Sequence, residues 1–210
     1  MSRWLPWRSR DELSDRRVED LELLALDIET TGLDPARHEV LSFGMVPVRR
    51  LTIELAEARQ YAVRPVRGAG VGDSATVHGI TDDVAAGAEP MEEVLPRVLA
   101  ALEGRALLAH HASIEVGFLT AACQAHGRQV PTWTVVDTVR LQRRVLRRGH
   151  AYGHLAEGEL RLGPARRRLG LPPYRSHEAL TDALACAELF LAQVAALGGD
   201  GGLSLRQLQR

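Results

Sequence analysis

The apolar run Leu23–Glu29 sets the strongest limit on the architecture of this chain, because it is followed directly by the polar turn residues 30–32. A short apolar run bounded by turn residues is typical of a buried β-strand. Asp27 and Glu29 stand two positions apart, and side chains at that spacing on a strand point to the same face. The sequence therefore predicts a core strand with two carboxylates on one side, near its carboxyl end.

The pattern that follows changes from strands to alternating helices and strands. Two more β-rich stretches come directly after the first, with a tight turn at Arg49-Arg50 between them, and an antiparallel arrangement is expected for these three. These two early β-rich stretches are Glu39–Val48 and Leu51–Val63, and further strands are predicted at Arg105–His110 and Val135-Val136. Helices are predicted at Met91–Leu102, at Ser113–His126, from Asp137 onward and at Glu178–Ala196. Ser113 is the predicted N-cap of the second of these helices. This order predicts an α/β domain with a mixed, roughly five-stranded sheet flanked by helices.

The 210 residues are enough for one domain with a full hydrophobic core. We expect residues 1–20 to form an N-terminal arm around Trp4 and Trp7, residues 21–197 the domain, and residues 198–210 a flexible tail after a glycine-rich break. No run of about 18 consecutive apolar residues indicates a membrane span. The first residues also lack the apolar stretch of a signal peptide, so a cytoplasmic location without membrane association is expected.

Arginines are concentrated in one stretch of the second half of the chain. Ten lie between Arg140 and Arg175, against only Glu157 and Glu159, although the net charge of the chain is −1. The planar guanidinium group suits phosphate binding. A solvated helix face explains the same pattern equally well, and both interpretations stay open.

Two further acidic positions and one histidine are candidates for chemistry beside Asp27 and Glu29. A close carboxylate pair repels unless a cation sits between its members, and oxygen ligands favour Mg²⁺ or Mn²⁺ over zinc. Glu115 lies in the first turn of a predicted helix, where the helix dipole alone favours an acid. His177 precedes the last helix and Asp182 lies inside it; an unpartnered buried acid would cost several kcal/mol, so Asp182 is expected to face a cation or solvent.

Taken in order, these segments resemble the DEDDh exonuclease family, which has a ribonuclease-H-like fold and includes proofreading epsilon subunits and RNase T. The first motif of that family is matched by residues 27–33 and the third by residues 177–182, with epsilon-like matches at Val77–Thr81 and Val136–Thr138 between them. The resemblance spans about residues 22–195. The second motif departs from the family, because Glu115 stands where an aspartate is usual and no aspartate occurs between Arg105 and Val136. Glutamate keeps the charge and the ligand oxygens, so retained activity is expected.

The resemblance implies a 3′→5′ exonuclease that releases nucleoside 5′-monophosphates from DNA or RNA ends. It implies two divalent cations, Mg²⁺ or Mn²⁺, held by carboxylates, and a histidine as general base. The implied metal-binding and catalytic residues are Asp27, Glu29, Glu115 and Asp182, with His177 as the base. The implied contacts to the terminal nucleotide are Thr30, Thr31, Leu33, His78 and Ile80. Asp137, in contrast, is interpreted as a structural helix cap.

Two other functions stay open at this point. Glu115 in place of aspartate would also fit a nucleic-acid or nucleotide-binding module whose site no longer cleaves. An exoribonuclease acting on short RNA fits the same motifs. The expected partner in each case is the 3′ end of single-stranded DNA or RNA, and the motifs do not separate a proofreading subunit from a stand-alone enzyme.

Overall fold

The computed structural model describes residues 15–66, 74, 79–149, 157–175, 177–198 and 202–209. Its centre is one mixed sheet with the strand order β3-β2-β1-β5-β6, in which β4 also pairs with β2. The strands are β1 Glu22–Thr30, β2 Val40–Arg49, β3 Thr52–Ile53, β4 Arg59–Ala62, β5 Ala106–Ala109 and β6 Val135–Asp137. Strand β2 runs antiparallel to its neighbours β1, β3 and β4, whereas β5 and β6 continue the sheet in parallel. The predicted α/β class and mixed sheet are confirmed.

The third β-rich stretch differs in detail from its prediction. Residues 51–63 hold two short strands, β3 and β4, separated by the 3-10 turn Leu55–Glu57. The tight turn before them lies at Arg50 and Leu51, one residue later than expected. Both residues have positive φ angles, of 50° and 58°, which is the conformation that a two-residue hairpin turn with the right-handed twist requires.

The helices flank both faces of the sheet. They are α1 Asp82–Ala86, α2 Met91–Leu102, α3 Ser113–Ala125, α4 Thr138–Gly149, α5 Leu162–Arg168, α6 Ala179–Gly198 and α7 Leu205–Leu208. The four helices predicted from periodicity correspond to α2, α3, α4 and α6. The predicted cap at Ser113 is wrong, since Ala112 is the N-cap of α3 and supplies no side-chain hydrogen bond.

The alternation of side chains along β1 divides the core into two layers. Leu23 and Ala25 pack with α4 and α6 on one face of the sheet. Leu24 and Leu26 pack with α2 and α3 on the other face. Because the strand period is two residues, Asp27 and Glu29 continue the row of Leu23 and Ala25 and therefore lie on the α6 side.

Helix α6 is long and apolar enough to cross a membrane by length and composition alone, although it contains no uninterrupted run of about 18 apolar residues. Half of its most apolar window is buried inside the protein. Among its buried residues, Phe190 and Val194 belong to the core cluster that covers β1. Packing against the sheet is therefore a sufficient reason for the apolar composition of this helix.

The described residues at the two ends of the chain pack together, contrary to the expectation of a flexible tail for residues 198–210. The backbone N–H of Val18 donates to the carbonyl of Leu203 at 2.7 Å, and that of Leu205 donates to the carbonyl of Arg16 at 3.0 Å. Leu203, Leu205 and Leu208 are buried in the same core cluster as Val18. Residues 202–209 are thus part of the domain. Trp4 and Trp7 lie outside the described residues.

Candidate active site

Three of the predicted acidic side chains meet at the carboxyl end of β1. Asp27 and Glu29 extend from the strand, and Asp182 extends from the first turn of α6. Carboxylate oxygens of these three residues lie within 4.8 Å of one another. Asp27 and Glu29 point to the same face of β1 because the strand period is two residues. Helix α6 begins above that face, which brings Asp182 close to both.

Gly44 allows the helix start to come this close. It lies opposite Asp27 in the β1–β2 pairing, and a Cβ at this position would lie 2.1 Å from the backbone carbon and oxygen of Ala179. The first turn of α6 therefore rests directly on the backbone of β2. Gly44 is not among the residues predicted for the site, although a glycine inside a strand is a signal of close backbone approach.

The turn after β1 is held by the two threonines that were predicted to contact a nucleotide. The pairing of β1 with β2 shifts register between Glu29 and Thr30, an irregularity that often aims side chains at an active site. The Thr30 hydroxyl donates to the carbonyl of Gly32 at 2.7 Å, and the Thr31 hydroxyl accepts from the N–H of Glu39 at 3.0 Å. Both hydroxyls therefore stabilise the loop, and a nucleotide contact by either residue stays a prediction.

The carboxylates of the cluster are held in an unfavourable electrostatic environment. Burial raises the pKa of Asp27 well above its usual range, and the charges of Glu115 and Asp182 add to the shift. Burial raises the pKa of Glu29 to about 7, with a further contribution from Asp182. Burial also raises the pKa of Asp182. Removal from water and mutual repulsion both favour the protonated forms, which is the condition that a bound cation would reverse.

Glu115 lies beside the three-carboxylate cluster and is not one of its members. It belongs to the first turn of α3, its side chain is 3% exposed, and its Oε2 atom has no hydrogen-bond partner among the described residues. Burial raises the pKa of Glu115 to about 8. A buried carboxylate oxygen without a partner is costly. Glu115 therefore has an unsatisfied carboxylate oxygen next to the acidic cluster. The family resemblance implies that Glu115 is a further acid of this cluster.

Asp137 joins the loop before α3 to the start of α4. Its Oδ1 atom accepts from the N–H of Val139 at 2.9 Å and from the N–H of His111 at 3.3 Å. The first bond confirms the predicted helix cap. The second bond holds His111, whose φ of 69° is in the left-handed region. By fixing this loop, Asp137 also fixes the helix start that carries Glu115.

His177 contacts the cluster through its backbone. Its N–H donates to Oδ2 of Asp182 at 2.8 Å, its side chain is exposed, and its φ angle is 72°. A non-glycine residue in this conformation is held there by its surroundings. The structure therefore places His177 beside the acidic cluster, and its function as general base stays a prediction.

The three apolar or aromatic candidates for base contacts have different surroundings. Leu33 is 77% exposed at the turn after β1, so its side chain is accessible to a ligand. Ile80 is partly buried and packs against Leu41 and Ala85. His78 lies outside the described residues. Contact of these residues with a terminal base stays a prediction.

The structure separates the five arginines of α4 into two groups. Arg144 donates to the carbonyl of Gln207 in α7, and Arg148 donates to the carbonyl of Leu197 near the end of α6 at 2.7 Å. Both side chains therefore connect α4 to another helix. Arg140, Arg143 and Arg147 lie on the exposed side of α4. The exposed group fits both a solvated face and a phosphate-binding surface.

The comparison with known proteins agrees with this geometry. The family model described as RNase T, exonuclease, matches residues 24–190. The chain belongs to this exonuclease family. The matched range contains all three residues of the acidic cluster, Asp27, Glu29 and Asp182. The resemblance to the DEDDh family that the motifs indicated is confirmed.

Several curated relatives of this family member are DNA polymerase components. It is 28% identical to the PolC-type DNA polymerase III of Thermotoga maritima, over 96% of this chain and 14% of that protein. It is 33% identical to an epsilon-like protein of Rhodobacter capsulatus, over 90% of this chain and 26% of that protein. It is 28% identical to the DNA polymerase III epsilon subunit of Treponema pallidum, over 84% of this chain and 78% of that protein. The chain thus spans only about a quarter or less of the length of the first relatives that it matches.

Solved structures confirm the ribonuclease-H-like fold of this exonuclease-family chain. The nuclease domain of 3′hExo, a DEDDh family member bound to rAMP, superposes with a TM-score of 0.71 at 20% identity, over 86% of this chain and 94% of that one. Escherichia coli Exonuclease I in complex with a dT13 oligonucleotide superposes with a TM-score of 0.70 at 15% identity, over 81% of this chain and 40% of that one. At these identities, the likeness concerns the fold alone.

In chelator, the free energy of unfolding is expected to fall as the pH rises from 5 to 8.5. The pKa of Glu29 is raised to about 7 and that of Glu115 to about 8, so their stabilising contribution is complete below the unfolded pKa of about 4.5 and is lost as the pH passes these values. The expected decrease is on the order of a few kcal/mol. Urea unfolding at several pH values measures it. Glu29→Gln should flatten the curve, and constant stability over this range in the wild-type protein would contradict the electrostatic description.

Proposed function

We propose that this chain is a metal-dependent 3′→5′ exonuclease that releases nucleoside 5′-monophosphates from the 3′ ends of single-stranded nucleic acid. The observation that carries the proposal is the convergence of the Asp27, Glu29 and Asp182 carboxylates within 4.8 Å, in a chain whose residues 24–190 match an exonuclease family. Repulsion within such a cluster opposes folding, and a bound ligand of opposite charge would relieve it.

The residues present fit a hard divalent cation. All three clustered ligands are carboxylates, which favour Mg²⁺ or Mn²⁺, and the unpartnered Oε2 of Glu115 adds a fourth acid beside them. Asp27, Glu29 and Asp182 would hold the cations, with Glu115 close to them. When bound, two such ions supply Lewis-acid stabilisation of the phosphate oxygens and increase the acidity of a water molecule.

His177 would accept the proton of the attacking water at a ring nitrogen. Histidine is the side chain that most often serves as a general base. The backbone of His177 is fixed to Asp182 at 2.8 Å, so its imidazole starts from a defined position next to the acidic cluster. Its exposed side chain leaves it accessible to a substrate.

The terminal nucleotide would bind at the turn after β1. The exposed Leu33 side chain offers an apolar surface, and stacking or packing against a base is tolerant of sequence. Among the similar structures, Exonuclease I is in complex with a DNA oligonucleotide, and a 3′-exonuclease recognises a histone mRNA stem-loop. For this chain we propose single-stranded DNA or RNA ends as substrates. Action within a larger polymerase assembly and action alone are both compatible with this site.

Labelled oligonucleotides test the proposed function. Single-stranded DNA and RNA with a 5′ or a 3′ label are incubated with Mn²⁺, with Mg²⁺ or with chelator, and the products are separated by length. The proposal expects stepwise shortening from the 3′ end, release of 5′-monophosphates, loss of activity in chelator, and loss in His177→Ala. Binding without cleavage under every metal condition would instead support the alternative function, a nucleic-acid-binding module.

Substitutions at Glu115 distinguish an adapted site from a disabled one. We expect Glu115→Gln to lower kcat by about 10- to 100-fold, because it removes a negative charge beside Asp27, and losses of one group beside metal ligands are commonly of this order. Glu115→Asp is expected to stay within about fivefold of wild type, since the charge is kept; each factor of ten corresponds to about 1.4 kcal/mol. An inactive wild-type protein that becomes active as Glu115→Asp would show that the glutamate disables the site.

A further inference from the structure

The guanidinium group of Arg166 is buried between α5, α6 and the segment that leads to His177. Its side chain is 2% exposed. It donates from Nη1 to the carbonyl of Ala185 at 2.7 Å and from Nη2 to the carbonyl of Pro172 at 3.0 Å. Nη2 also donates to Oε2 of Glu188 at 2.7 Å. One side chain thus joins two helices to the connection between them.

Tyr174 completes this group of contacts. Its ring lies under the Arg166 guanidinium, with 4.5 Å from the Cζ atom to the ring centroid. Its hydroxyl donates to Oε1 of Glu188 at 2.9 Å. Glu188 therefore binds Arg166 through one carboxylate oxygen and Tyr174 through the other. We refer to Arg166, Tyr174 and Glu188 together as the arginine clamp.

The arginine clamp and the acidic cluster use the same face of α6. Asp182, Ala185 and Glu188 are spaced three residues apart, which places them along one side of the helix. Asp182 holds the backbone of His177, while Ala185 and Glu188 hold Arg166 one and two turns further on. The chain between α5 and α6 is therefore fixed to α6 at its middle by the clamp and at its end by Asp182.

A purely structural contact does not require this arrangement. Burial of a charged pair is costly, and apolar side chains of similar size often replace such pairs without loss of stability. His177 has a φ angle of 72°, a conformation that persists only when the surroundings impose it. Residues 171–175 contain no helix or strand of their own. Besides the backbone bond from the N–H of Leu171 to the carbonyl of Arg166, the clamp and Asp182 restrain the described part of this connection.

We propose that the arginine clamp is a positioning device for His177, which sets where the imidazole stands relative to the acidic cluster. The inference rests on the proposed function, in which His177 accepts a proton. Arg166 and Tyr174 touch neither the acidic cluster nor a substrate in this scheme. They act through the backbone that carries His177, and loosening them should slow the chemical step without weakening substrate binding.

Steady-state kinetics on a single-stranded oligonucleotide test this with graded variants. Tyr174→Phe removes only the hydroxyl bond to Glu188, and Arg166→Lys keeps the charge but loses the planar fork. We expect kcat to fall about 3- to 10-fold in Tyr174→Phe and about 10- to 100-fold in Arg166→Lys, with KM within about twofold of wild type; misplacement by about 1 Å is enough for losses of this size. Tyr174→Phe keeps the ring stack, so it is the variant expected to remain folded if Arg166→Lys does not.

A double-mutant cycle with His177→Ala separates positioning from general destabilisation. If the clamp acts through His177, Tyr174→Phe has no further effect on the residual rate of the His177→Ala protein. A merely structural effect would lower that residual rate by the same factor as in the wild-type background. Tyr61→Leu is the matched control, because Tyr61 also stacks on an arginine, with Arg97 at 4.6 Å; it should lower the Tm without changing kcat.

The outcomes separate this inference from the proposed function. An active wild-type enzyme with unchanged kcat in Tyr174→Phe and Arg166→Lys, or with additive effects in the cycle, overturns the positioning role and leaves the exonuclease proposal intact. A wild-type protein that cleaves no oligonucleotide under any metal condition overturns both. Loss of kcat at constant KM, together with a non-additive cycle, supports the arginine clamp.

Discussion

Asp27→Asn is expected to abolish exonuclease activity and, in chelator, to stabilise the folded protein. Asp27 is the member of the acidic cluster whose pKa rises through burial and through the charges of Glu115, Asp182 and Glu29, so it lies at the electrostatic centre of the site. Loss of this carboxylate would weaken the cation site that stabilises the transition state. Metal ions contribute several kcal/mol to such reactions, which corresponds to a decrease in rate of about a thousandfold.

The gain in stability follows from the same repulsion. A carboxylate with a raised pKa destabilises the folded state when it is ionised, and asparagine keeps the shape without the charge. Thermal unfolding should therefore show a higher Tm for Asp27→Asn than for wild type in chelator at pH 8. The increase in Tm that Mn²⁺ produces in the wild-type protein should be lost, because binding to the native state alone is what raises the Tm.

Asp83→Asn is a suitable control for this substitution. Asp83 is an exposed acid on α1 that is not a member of the acidic cluster, and its replacement should change neither the activity nor the effect of Mn²⁺ on Tm. Retention of more than about a tenth of wild-type activity in Asp27→Asn, or an unchanged response to Mn²⁺, would contradict the proposal that Asp27 is a metal ligand.

The parts of the fold that the sequence predicted are those that depend on local patterns. The apolar run from Leu23, the spacing of Asp27 and Glu29, and the helices on either side of the sheet follow from periods of two and 3.6 residues. The acidic cluster was predictable for the same reason, because its members stand at the end of a strand and in the first turn of a helix. The family motif added the order of these segments and connected Asp182 with β1.

The features that the sequence did not predict depend on contacts between distant segments. The glycine-rich break after α6 suggested a flexible tail, yet Leu203 and Leu205 pair with the backbone near Val18, about 185 residues earlier. For the clustered arginines the sequence left a solvated face and a phosphate-binding surface open, whereas Arg166 is buried and donates to Ala185 and Glu188. Local composition does not contain this information, because burial depends on which other segment packs on a residue.

Gly44→Ala is expected to damage both the fold and the acidic cluster. The new Cβ would lie 2.1 Å from the backbone of Ala179, far inside normal contact distance, and backbone atoms have no rotamer by which to move away. Helix α6 or strand β2 must therefore shift by roughly 1 Å, and overpacking typically costs about 1–3 kcal/mol, of which we expect the upper end here. Urea unfolding measures this loss of stability directly.

The effect of Gly44→Ala on activity should exceed what its stability predicts. Gly44 pairs with Asp27 on the adjacent strand, and Ala179 begins the helix that carries Asp182, so the shift changes the distance between two proposed ligands. Misplacement by about 1 Å in an active site costs about a hundredfold in rate. Activity measured well below the Tm should fall by at least this factor, and the Mn²⁺-induced increase in Tm should shrink.

Gly87→Ala provides the comparison for Gly44→Ala. A Cβ at Gly87 would lie 3.7 Å from its nearest neighbour, and its φ of −81° suits any residue. The free energy of unfolding of Gly87→Ala should therefore lie within about 0.5 kcal/mol of the wild-type value, and its activity should equal that of the wild-type protein. Wild-type stability and activity in Gly44→Ala would show that α6 does not rest on β2 as described. A large loss in Gly44→Ala alone would show that the absence of one side chain on β2 determines how closely Asp182 approaches Asp27.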